Sequence, residues 1–201
     1  MRLGQDKTEV NRQKLLKAFP SEISADVEII SSFLQDKDFD IHPSSEYEKE
    51  IQINGEKLIL LGRTYFEELD GKDLNTLSKK QITILYCLYL RHNNGFVRQK
   101  YLERLSEQKD YFVTPFIFNL LGEYVIEILF VLENIISKNI ENYLKFKKEN
   151  LVFFNQTESR MISYWNEYYR HPKYPKIKGF VGREIFDRIN KFERQLLKEN
   201  E

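Results

Sequence analysis

Apolar residues recur along this chain at two different periods, and each change of period predicts a change of element. Val10, Leu15, Leu16 and Phe19 give residues 1–19 a weak helical face. Pro20 ends it, because the residue before a proline avoids the helical region. Ser21 and Ser24 are each placed to cap a second helix over 22–35, in which Ile23, Val27, Ile30 and Leu34 fall at helical spacing. The polar stretch DKDFDIHPSSEYEKE (36–50) carries Pro43 and two serines and reads as a linker or surface loop. Residues 1–45 are therefore read as an N-terminal helical segment and linker, either packed on the body or trailing loosely from it, ahead of a single helical domain with the β-hairpin over 46–201.

The period then drops to two. EIQINGEKLILL sets Asn54-Gly55 between two alternating runs, the strongest short-range signature of a hairpin. A two-residue turn pairs Ile53 with Glu56 and Ile51 with Leu58, which puts Ile51, Ile53, Leu58 and Leu60 on one face. A lone hairpin is marginal in water, so that face needs helices or a partner beneath it.

After the hairpin the helical period returns. Ser78 and Gln81 make a capping box for a helix over 79–92, stopped by Asn93-Asn94-Gly95, and a second helix over 97–108 follows. The run from Thr114 to Lys138 is nearly continuously apolar and about seven turns long, too long for a strand. It is predicted as one central helix, with Thr114 as cap and Pro115 at its first position. Helices over 140–149, 157–170 and 181–198 complete the pattern, with HPKYPKIKG (171–179) as a loop. The fold class expected is mainly α: an irregular bundle or α–α stack of five to seven helices, with one small β-hairpin at about 50–61. No period of 33 to 47 residues recurs, so a repeat solenoid is not indicated.

Composition changes this picture in three ways. Hydrophobic residues make up 41% of the chain, enough for a real core. Lys plus Arg and Asp plus Glu are both 31, so attraction to nucleic acid or an anionic membrane would have to come from a local patch. The single cysteine, Cys87, forms no internal disulfide and fits a reducing compartment. With no signal-like start and no uncharged run of membrane length, a cytoplasmic location and no membrane partner are expected. The richness in Ile, Asn, Lys, Tyr and Phe resembles the usage of a low-GC bacterial genome, so a bacterial source is expected.

The chemistry on offer is sparse. Glu123 and Glu127 stand four apart, so on a continuous helix they would share a stripe with Asn119 and Asn134, as a possible buried polar pair. Helical di-metal sites need Glu-x-x-His pairs, and none of His42, His92 and His171 has a glutamate three residues before it. Cys87 sits among apolar residues, with His92 poorly placed as a base, and reads as structural. No phosphate-cradling, zinc-binding or nucleophile motif occurs, so no metal, no cofactor and no catalytic residue is expected.

The segment 159–183 is different. Arg160, Arg170, Lys173, Lys176, Lys178 and Arg183 face one acid, Glu167, a local balance of five positive charges. Tyr164, Trp165, Tyr168, Tyr169, Tyr174 and Phe180 are interleaved with them. Basic groups beside aromatic faces suit a protein-binding hot spot, and they also suit phosphate contact with base stacking. A winged-helix DNA reader is excluded, since the helix that would enter the groove has no basic residue before Lys138. The sequence thus points to a non-catalytic protein-interaction module, binding an unidentified protein through 159–183, the hairpin edge, or both. Nucleic-acid binding through 159–183 is the alternative.

Overall fold

The computed structural model of the chain describes residues 2–44, 48–171 and 173–199. Residues 45–47, in the middle of the expected linker, lie outside them. The chain is mainly helical and divides into two compact units, residues 1–105 and 106–201. Ten α-helices occur among the described residues, more than the five to seven expected. The eight helical spans named from the sequence become ten because the apolar run at 114–138 breaks in two and a short helix forms at Gly71–Leu74.

The first unit opens with α1 (Arg2–Ala18) and α2 (Ser24–Leu34), tied by Arg12 Nε donating to Glu28 Oε2 at 2.7 Å. Neither Ser21 nor Ser24 caps by side chain. A single 3-10 turn, Ser21–Ile23, bridges the helices, and the Ser21 backbone N–H and hydroxyl both donate to the Glu56 carboxylate instead. The expected linker contains strand β1 (Asp40–Ile41), which pairs antiparallel with β4 (Thr64–Tyr65). Strands β2 (Lys49–Ile53) and β3 (Glu56–Leu60) form the hairpin in the register read from the sequence, Ile51 opposite Leu58 and Ile53 opposite Glu56. Asn54 and Gly55 both take positive φ, 54° and 82°, which the turn requires of its two central residues. Ile51, Ile53, Leu58 and Leu60 are buried, each contributing about 2 kcal/mol of transfer free energy, and β3 packs on α1.

A short α3 (Gly71–Leu74) is capped by Asp70, whose side chain accepts from the Lys72 and Asp73 N–H groups. Helix α4 (Lys79–Tyr89) begins at the Ser78/Gln81 capping box, as expected, and packs on α2 and on α5 (Gly95–Arg104). Cys87 is fully buried. His92 is also buried: its Nδ1 accepts from the Asn94 N–H at 3.0 Å, which leaves Nε2–H to donate to the Phe66 carbonyl at 2.8 Å.

The second unit holds α6 (Thr114–Asn119), α7 (Ile126–Lys138), α8 (Ile140–Glu149), α9 (Leu151–Tyr164) and α10 (Val181–Glu199). Pro115 lies in the first turn of α6, but Thr114 is helical and buried, not a cap. Four phenylalanines meet at the centre: the Phe118 ring lies 5.3 Å from Phe146, 5.2 Å from Phe154 and 5.9 Å from Phe186. Helix α10 packs on α7, α8 and α9 and closes this core. No helix among the described residues is long and apolar enough to cross a membrane.

Candidate functional site

Two departures from regular helix meet in the second unit, and each has a local cause. The first is the break between α6 and α7. Leu120–Gly122 tighten into a 3-10 turn, Glu123 is extended (φ −113°, ψ 164°), and the helix restarts at Ile126. A side chain at position 122 would place its Cβ 3.0 Å from Arg160 Cζ, so glycine lets the guanidinium lie against the backbone. From there Arg160 Nη2 donates to Asn119 Oδ1 at 3.3 Å and to Thr157 Oγ1 at 3.2 Å.

The break separates the two glutamates expected to share a stripe. Glu123 is 6% exposed beside this turn, while Glu127 and Asn134 are exposed on α7 and Asn119 is buried on α6. They form no buried pair. Among the described residues, no three His, Cys, Asp or Glu side chains gather in a metal-holding arrangement.

The second departure is at the end of α9, which starts at Leu151 instead of the expected 157 and seats Phe153, Phe154, Thr157 and Met161 in the core. From Trp165 to Tyr169 the helix widens to a π-turn: the Arg170 N–H bonds the Trp165 carbonyl five residues back at 2.8 Å. The Tyr174 N–H repeats the spacing on Tyr169 at 3.0 Å, and Trp165 Nε1 donates to the Tyr174 carbonyl at 3.0 Å. The prolines of HPKYP supply no N–H for a continued ladder, which ends the helix here. Gly179, at φ 90°, returns the chain to α10.

The two irregularities touch. The Tyr169 hydroxyl donates to the carbonyl of Tyr124, the residue the break turns outward. Burial holds the Tyr169 phenol above its ordinary value and the Glu127 carboxylate adds to the rise, so the hydroxyl stays a neutral donor. Above this link three tyrosine rings converge: Tyr124 lies 5.9 Å from Tyr164 and 5.7 Å from Tyr168, and Tyr164 lies 6.1 Å from Tyr168. Tyr124 is 52% and Tyr168 57% exposed. Tyr169 stacks on the buried Phe180 at 5.4 Å, and Tyr174 meets the same ring edge-on at 5.4 Å.

The basic residues of 159–183 part into two groups. Arg160 turns inward, and Arg183 is held by Glu158 at 2.7 Å and by Asp187. Arg170, Lys173, Lys176 and Lys178 are exposed and make no ion pair among the described residues. Arg170 sits 5.9 Å from the Trp165 ring and Lys173 5.4 Å from the Tyr174 ring. Sequence reasoning missed Tyr124, which belongs to the cluster although it lies outside 159–183. Its signal was Gly122-Glu123, a glycine next to a carboxylate inside a mostly apolar run.

Compared with known proteins, the chain matches no family model, no curated protein and no solved structure.

Proposed function

We propose that this chain is a non-catalytic protein-interaction module whose contact surface is the tyrosine cluster at the π-turn. The observation that carries the reading is the convergence of Tyr124, Tyr164 and Tyr168, with two of the three rings more than half exposed. Tyrosines held rigidly at a surface supply large contact area at small entropic cost, and Tyr, Trp and Arg dominate the energetics of interfaces. π-turns themselves concentrate at functional sites. The β2–β3 hairpin is a sheet of two strands and remains a secondary candidate edge. The test is capture of binding proteins from extract by the wild type and by Tyr168→Ala. The variant is expected to lose at least about tenfold of the captured partner at unchanged thermal stability. Equal capture by a well-folded variant would remove the cluster as the contact surface.

A second reading is favoured by one observation, the four cations of 170–178 that make no ion pair with an acid among the described residues. If they contact single-stranded nucleic acid phosphates, affinity falls with a logarithmic salt slope of about −3, roughly fiftyfold between 50 and 200 mM. A fluorescence-anisotropy titration of labelled oligonucleotide that shows no binding at low salt disposes of that reading.

A further inference from the structure

Resting on the proposed interaction surface, we infer that its occupant is an acidic segment of a partner protein, bearing an aromatic or proline side chain that seats on Tyr124 and Tyr168. Charge makes the first half of the argument. RHPKYPKIK (170–178) holds Arg170, Lys173, Lys176 and Lys178 and no acid, whereas Arg183, Arg188 and Lys147 of the same unit are each paired with a carboxylate. In a chain of zero net charge this is a local excess, and it repels a basic ligand. The Arg170 guanidinium gives one N–H to Asn166 Oδ1 at 2.9 Å and keeps others for a carboxylate.

Ring geometry makes the second half. A cation caged by three aromatic rings needs room between them. Tyr124, Tyr164 and Tyr168 stand only 5.7 to 6.1 Å apart, centroid to centroid, and fill their own triangle. A ligand must therefore lie on top. Successive nucleobases want successive open ring faces. Here Trp165 and Tyr174 each already carry a cation, while Tyr124 and Tyr168 are tilted 40° to one another. That leaves a small uneven apolar seat beside a row of positive charges, which suits a side chain flanked by carboxylates better than a stack of bases.

The experiment is selection of short random displayed peptides on the full chain, read against two variants, Tyr168→Ala and the triple Lys173→Glu/Lys176→Glu/Lys178→Glu. All four positions are exposed, and thermal melts check each variant's fold. Selected peptides are expected to combine Asp or Glu with an aromatic residue or proline. Each variant should weaken them at least about tenfold. The triple variant should in turn select basic peptides. Peptides that need Tyr168 but show no acidic enrichment overturn the acidic occupant and leave the contact surface standing. Peptides indifferent to Tyr168 sink both. A thymidine oligonucleotide that binds in preference to every selected peptide, and is lost with the triple variant, overturns the proposal in favour of nucleic acid.

Discussion

One hydrogen atom at position 122 decides where an arginine can go. A methyl group there would meet Arg160 Cζ and Nε at 3.0 Å, and the guanidinium is anchored by Asn119 and Thr157 and cannot swing away freely. Gly122→Ala is accordingly expected to destabilise the protein by about 1 to 3 kcal/mol, the usual cost of overpacking, measured as a drop in the urea midpoint. Gly71→Ala, with nothing within 4 Å of its added carbon, serves as the neutral control. An equal midpoint for both variants would show that Arg160 yields without cost. The example also shows where sequence reading runs out at this scale. Arg160 counts as one more positive charge in a basic segment until its partner at Asn119, 41 residues earlier, is known. Glycine within an apolar run announces a close approach, but the identity of the approaching group belongs to the fold.

At the scale of elements, what was legible was local. The hairpin register and the Ser78/Gln81 capping box came out as read because turn dihedrals and caps are settled by residues a few positions apart. Gly55 is the sharpest test. Its φ of 82° lies in open space, so Gly55→Ala adds no clash and isolates the cost of a side chain in the left-handed region. About 1 to 2 kcal/mol of stability should be lost in denaturant melts, and an unchanged midpoint would mean that the turn can re-form in another geometry. The apolar run at 114–138 was the opposite case. Most residues in it suit a buried helix, but whether it stays continuous depends on what packs against Gly122, which no helical period encodes. The π-turn was illegible for the same reason: WNEYY is ordinary helical sequence, and the prolines that follow explain the end of the helix without announcing the widening before it. The tyrosines of the candidate surface other than Tyr124 stand together in 159–183, while their convergence with Tyr124 is not written in any local pattern.

For the whole molecule, tyrosine sets the alkaline limit. Burial, with the Glu68 carboxylate adding to it, pushes the Tyr101 phenol up to about 12. Burial likewise raises Tyr89 in the first unit and Tyr111 and Tyr143 in the second. An unfolded tyrosine loses its proton near 10, so between about 10 and 12 the unfolded chain holds fewer protons than the folded one and stability falls as pH rises. The contribution is fully present below 10. Urea midpoints should therefore decline above about pH 10, and Tyr101→Phe should flatten the decline. A midpoint independent of pH up to 11 would contradict the burial of these phenols.

Trp165 has a practical consequence of its own. It is the single tryptophan among 201 residues, it stands at the head of the π-turn, and it is half-buried between the Tyr174 carbonyl and the Arg170 side chain. Excited beyond the absorption of the 12 tyrosines, the chain emits light from one place only. The protein thus carries a built-in optical probe at its candidate contact surface. Its emission follows occupancy and melting of the second unit without any attached dye, and the first unit stays dark.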